Sequence, residues 1–159
     1  MNSNTLLEKL DKVLSPIGAK VGNQIHLKSI SNGMMMTLPL IVVGSIFLII
    51  ANPPVNPDLI NPETANIFMK FMLSWKEFAV NNYQTLTTPY NMTMGIVGMM
   101  SAFAIAYCLA GEYNMKAAIS GLISTSMFLM ICAPSVDGSI ATNFLGADGL
   151  FIAIIIGLS

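Results

Sequence analysis

The sequence predicts an all-α polytopic membrane protein, with about four transmembrane helices, the fourth incomplete, plus two interfacial amphipathic helices. Two observations carry that prediction. Three long stretches, Ser29–Pro57, Asn91–Gly111 and Ala117–Val136, hold no charged side chain, and a fourth runs from Gly149 to Ser159. A spanning helix needs about 20 mostly apolar residues to cross a hydrocarbon core of about 30 Å, a length the first three reach. At about 1.5 Å per residue, the stretch from Gly149 covers only about 16 Å, so the sequence reads as ending inside its fourth helix. The composition agrees. Hydrophobic residues make up 54% and charged residues 9% of the 159 residues, against roughly 25% charged in soluble domains. The mean hydropathy is +0.69. A net charge of −1 gives no reason to expect nucleic-acid binding.

Residues 1–28 precede the first span and contain an amphipathic helix over 5–17. Leu6, Leu7, Leu10, Val13, Leu14 and Ile17 share one face. Thr5 and Glu8 make a capping-box pattern, and Glu8 and Lys12 are four residues apart. That stripe either lies in the membrane interface or packs on the protein itself. The first span is expected over 30–51. Pro39 sits inside it and predicts a kink one turn earlier. The Asn52–Pro57 run ends it.

Residues 52–91 read as an external connection carrying a surface helix. Asn61 and Pro62 look like its cap and first turn. Phe68, Phe71, Met72, Trp75, Phe78 and Ala79 form an apolar stripe, while Lys70, Lys76 and Glu77 make spanning costly. Trp75 is expected at headgroup level. Thr87, Thr88 and Pro89 read as the lead into the next span.

The second and third spans are expected over 92–110 and 117–133. Gly98, Ala102, Ala106 and Ala110 recur every four residues in the second, and Ala117, Gly121 and Thr125 in the third. Such small-residue ridges let helices approach closely. The short link between these spans predicts an antiparallel hairpin, packed ridge to ridge. The fourth span begins at 149–159.

Lysine placement orients the chain. Lys9, Lys12, Lys20, Lys28 and Lys116 fall on one side and Lys70 and Lys76 on the other. The excess predicts a cytoplasmic N-terminus, with Asp58, Glu63, Asp137 and Asp148 outside. Cys108 and Cys132 then lie near opposite faces, too far apart to bridge.

No span contains an Asp, Glu, Lys or His, so no proton relay is visible. No catalytic residue, metal set or cofactor motif can be assigned. His26 reads as an interfacial side chain and Glu112 as a turn residue. Met34, Met35 and Met36 read as lipid-facing or packing groups.

Two stretches carry a resemblance. Ile25-His26-Leu27-Lys28-Ser29-Ile30-Ser31-Asn32-Gly33-Met34, followed by Thr37-Leu38-Pro39-Leu40 and Gly44-Ser45-Ile46-Phe47-Leu48-Ile49-Ile50, resembles the opening of the first helix in enzyme IIC of bacterial sugar phosphotransferase systems. The lactose/cellobiose/chitobiose branch is the nearest match. Phe144-Leu145-Gly146-Ala147-Asp148-Gly149-Leu150-Phe151-Ile152-Ala153-Ile154 resembles that family's opening of the fourth helix.

The resemblance implies a homodimeric permease of the bacterial cytoplasmic membrane, built in two halves. The first half forms the scaffold and dimer contact. The second holds a disaccharide with a carboxylate and a histidine. Cytoplasmic IIB and IIA components pass phosphate, drawn from phosphoenolpyruvate, to the sugar. This chain resembles the first half only, so the transfer site is expected outside it. A non-enzymatic membrane scaffold and half of an unrelated secondary transporter are the competing readings.

Overall fold

A computed structural model describes residues 16, 18, 22–56, 66–136 and 139–159. The helix expected over 5–17 falls almost wholly outside them, as do Lys20, Asp58, the Asn61–Pro62 cap, Glu63 and Asp137. Among the described residues there are six α-helices: α1 (Ile25–Ala51), α2 (Ile67–Asn81), α3 (Tyr83–Asn91), α4 (Val97–Glu112), α5 (Ala117–Cys132) and α6 (Leu150–Gly157). Short 3-10 turns, Met94–Ile96 and Ala147–Gly149, lead into α4 and α6. Two helical stretches are long and apolar enough to cross a membrane, Ile25–Ala51 and Met94–Glu112. Ala117–Cys132 and Ala147–Gly157 are apolar but shorter.

α4 is the hub, with α1, α5 and α6 packed around it. Its buried residues are Val97, Gly98, Ser101, Ala102, Ala104, Ile105, Ala106 and Ala110. Only Ile105 and Val97 are large among them. Phe128 and Cys132 of α5, Leu145 from the following loop, and Ala153 and Ile156 of α6 close the core around Ala102.

α1 starts five residues before the expected Ile30. A hydropathy reading stops at the last charge, but the long Lys28 side chain lets the helix continue. Lys28 reaches Glu112 at the end of α4, with Nζ 2.8 Å from Oε1. The helix runs through Pro39, and just before it Thr37 donates its hydroxyl to the Met34 carbonyl at 2.8 Å. The residues α1 buries are all small: Ser29, Gly33, Thr37, Gly44 and Ala51.

Thr87, Thr88 and Pro89, expected as a lead into the next span, lie instead inside α3. The threonine hydroxyls donate back to carbonyls one turn earlier, Thr87 to Tyr83 and Thr88 to Gln84, both at 2.8 Å. This back-bonding lets threonine sit in a helix it does not itself favour. Pro89 is two residues from the helix end. α3 packs along α1. A two-stranded antiparallel hairpin, β1 (Ser135–Val136) with β2 (Ser139–Ile140), follows α5. Strands of two residues leave no periodic signal in a sequence.

The α4–α5 turn closes by a Schellman arrangement. The Met115 amide donates to the Ala110 carbonyl at 2.8 Å and the Asn114 amide to Gly111 at 3.2 Å. Asn114 has φ 55°, a left-handed conformation that asparagine tolerates better than most residues. Replacing Asn114 with valine is expected to cost about 1–2 kcal/mol, and Asn114→Gly to be neutral or stabilising. Thermal unfolding in detergent reads both.

A β-carbon added at Gly33 would stand 2.7 Å from the Ile105 backbone N and Cα and from its Cγ1. Because backbone is in the way, α1 has to move off α4. Gly33→Ala is therefore expected to lower stability by about 1–3 kcal/mol, the usual cost of overpacking, with a matching fall in the thermal midpoint.

Candidate functional site

The small residues singled out in the sequence divide between different partners. On α4, Gly98 faces the loop before α6. A β-carbon there would lie 2.5 Å from the Gly146 carbonyl oxygen, 2.8 Å from that of Leu145 and 3.3 Å from the Phe128 ring. The Met99 amide, one of the donors left free at a helix start, is satisfied by the Leu145 carbonyl at 3.2 Å. Ala102 is fully buried, and its carbonyl accepts the Ser124 hydroxyl from α5 at 3.0 Å. Ala106 and Ala110 are buried further along the same helix.

On α5, Gly121 is buried, while Ala117 and Thr125 are half-buried. The Thr125 hydroxyl donates to the Gly121 carbonyl at 2.9 Å. The ridges do not simply face one another. Gly121 receives the ring of Phe103, whose Cε2 would lie 2.7 Å from an added β-carbon. Phe103 also stacks on Tyr107, with ring centroids 5.9 Å apart.

The sequence reading missed a close contact that joins three helices. Ile105 is fully buried between Gly33 of α1 and Gly157 of α6, where an added β-carbon would lie 2.9 Å from the Ile105 Cβ. The spacing Ser29, Gly33, Thr37 was a readable signal, since it is the same four-residue small ridge found on α4. It was hidden by the run of methionines beside it.

At the Lys28 end a cleft of about 490 Å³ opens between α4, α5 and α6. Its walls include His26, Ala110, Tyr113, Ser120, Ser124 and Ser159. Beside apolar groups and hydroxyls the walls carry the His26 imidazole but no Asp or Glu side chain, so a sugar hydroxyl placed there would meet no Asp or Glu base. Among the described residues no three His, Cys, Asp or Glu side chains gather as metal ligands. Cys108 and Cys132 are both free thiols, the first half-buried and the second buried. Cys108 Sγ lies 3.6 Å from Met36 Sδ. Met34, Met35 and Met36 are all exposed on the flank of α1.

The sequence family described as "Phosphotransferase system, EIIC" matches residues 31–159. The chain belongs to that family. Within it the chain falls in the lactose/cellobiose/chitobiose branch. It is 33% identical to the lichenan permease IIC component of Bacillus subtilis (strain 168), covering 98% of this chain and 34% of that protein. It is 27% identical to the cellobiose-specific EIIC component of Geobacillus stearothermophilus, covering 96% and 34%. Among solved structures, the crystal structure of ChbC, the IIC component from the N,N'-diacetylchitobiose-specific phosphotransferase system, matches with a TM-score of 0.75 and 33% identity. That match covers 94% of this chain and 35% of that one. The EIIC chain described here thus spans about a third of the length of its relatives.

The contacts at Gly98 and Ala102 yield a test. Leucine at either position would drive a side chain into backbone carbonyls or a filled core, so each of Gly98→Leu and Ala102→Leu is expected to cost at least about 1–3 kcal/mol. Leu122→Ala, on the exposed side of α5, is the control. Thermal midpoints in detergent unchanged from the control in both leucine variants would refute the packing assignment.

Proposed function

We propose that this chain is the N-terminal scaffold and dimerisation part of a phosphoenolpyruvate-dependent sugar permease of the cellobiose/lactose/chitobiose type. The complete permease would move a disaccharide across the bacterial cytoplasmic membrane and couple the movement to phosphorylation. Its partners would be cytoplasmic IIB and IIA components, a second copy of itself and membrane lipid. The observation that carries this reading is the EIIC match over residues 31–159 combined with a similar fold over the first third of a IIC permease.

The packing supports a scaffold role. α1, α4, α5 and α6 would be the spanning elements. Their charged side chains stand only at their ends, as Lys28 and Glu112. The N-terminus would be cytoplasmic, which places the Lys28–Glu112 pair and Lys116 at the inner face. α2 would lie at the outer surface.

Phosphoryl transfer to a sugar hydroxyl needs a positioned base and charge stabilisation. The described cleft offers the His26 imidazole but no Asp or Glu side chain and no cation beside it, so the transfer site would lie in the portion of the family fold that this chain does not span. Radiolabelled cellobiose uptake in cells lacking their own IIC is the test. The 159-residue form alone is expected to give background uptake, and co-expression with the missing portion is expected to restore it. Uptake by the 159-residue form alone would overturn the assignment.

A further inference from the structure

One flank of α2 is left exposed by the bundle. Ile67 is 90% exposed, Phe68 70%, Phe71 63% and Phe78 54%. The helix touches the bundle through buried Ala79 and half-buried Trp75. Trp75 Nε1 donates to the Ile50 carbonyl at 3.0 Å, satisfying one of the acceptors left free at the end of α1. Its ring lies 6.4 Å from that of Phe71. Phe71, Ser74, Trp75 and Phe78 line a shallow groove of about 410 Å³.

We propose that this aromatic flank is a binding site for anionic phospholipid in the outer leaflet, with Phe71 and Phe78 among the acyl chains and Lys70 and Lys76 on the phosphate. The proposal rests on the membrane-spanning reading of α1 given above.

Depth is the first argument. Lys28 and Glu112 pair where water reaches them. Ile50 lies about 33 Å further along α1 at about 1.5 Å per residue, against a hydrocarbon thickness of about 30 Å. The Trp75 bond therefore holds α2 at the opposite headgroup level, where tryptophan rings favour residence. Ile46 and Ile49, within one turn of Ile50 on α1, are exposed as well.

Charge is the second argument. On a helical projection Lys70 and Lys76 stand on either side of the aromatic sector, at about 110° and about 130° from its centre. Neither forms an ion pair among the described residues, where the one such pair is Lys28 with Glu112. Long lysine stems reach from an apolar surface to a phosphate. A two-fold copy docked on this flank would bring four lysines together with only the two Glu77 carboxylates to answer them. An anionic leaflet answers both lysines of each chain.

Trp75 is the one tryptophan in the chain, so its fluorescence reports this site alone. The full chain is reconstituted in vesicles containing brominated phosphatidylglycerol or brominated phosphatidylcholine, with bromine near the glycerol end or the methyl end of the acyl chains. The expected result is stronger quenching by glycerol-end bromine, and by phosphatidylglycerol over phosphatidylcholine. Lys70→Gln is expected to weaken the phosphatidylglycerol preference by about fivefold, the contribution of one lysine beside an anionic leaflet. Lys70 is exposed and its replacement leaves the Trp75 bond in place.

Equal quenching by the two lipids in a chain that resists carbonate extraction would overturn the anionic-lipid site and leave the permease reading standing. Absence of quenching together with crosslinking through α2 would overturn it in favour of a second copy. Release of the chain by carbonate would overturn both readings.

Discussion

Ile105 sits between three helices in close contact, and the arrangement of the bundle depends on it. It is the one large side chain at the centre of α4's contact surface, and it fits only because Gly33 of α1 and Gly157 of α6 present bare backbone on either side. With a side chain at either glycine, α1 or α6 would have to stand away from α4 and lose contacts along its length. Ala102, one turn earlier, performs the reverse role. It is small so that Phe128, Leu145 and Ile156 can converge on it. α4 therefore alternates a filler and a notch.

This economy follows from the solvent. Lipid chains are as apolar as leucine, so burying leucine against leucine gains little inside a bilayer. What remains is close van der Waals contact and the occasional hydrogen bond between helices. The buried surface of α1 matches that logic, with serine, glycine, threonine, glycine and alanine inward and methionine, valine and isoleucine outward. Polarity is secondary to size there. The hydroxyls of Ser29 and Ser101 are buried with no hydrogen-bond partner, whereas Ser124 uses its hydroxyl to tie α5 to the Ala102 carbonyl. Serine fits the seam as a small residue that can bond when a carbonyl happens to face it.

Much of the architecture was legible because charge is so expensive in this setting. The charge-free runs located α1, α4, α5 and the start of α6, and the tight Gly111–Lys116 link indicated the hairpin that Asn114 closes. The small ridge on α4 was legible as a surface for close approach, but not its partners. Four-residue spacing says that something comes near, and cannot say that Gly98 meets a loop or that Gly121 meets Phe103. α3 was not legible, because Thr87, Thr88 and Pro89 disfavour helix in isolation and are reconciled with it by back-bonded hydroxyls and a position near the helix end. The Trp75 bond to Ile50 joins elements separated by a stretch with no periodic signal, so the sequence indicated an interfacial tryptophan without its anchor.

The two stretches that carry the family resemblance both contain glycines and carbonyls in close contact with neighbouring elements. The first contains Gly33, pressed on Ile105, and Gly44, which would place a β-carbon 2.5 Å from the Thr93 hydroxyl. The second contains Leu145 and Gly146, whose carbonyls lie over Gly98, and Gly149, which leaves no room for a side chain between the Phe144 carbonyl and the Phe128 ring. The Leu145 carbonyl also takes the free Met99 amide, so the loop before α6 serves as the cap of α4. A loop that caps a neighbouring helix at van der Waals distance cannot change length or residue size without uncapping it. The exposed sides of α1 and α5 make no such backbone contact. The stretches that carry the resemblance thus include backbone in close contact with neighbouring elements, and those contacts tie the scaffold together without reference to any sugar.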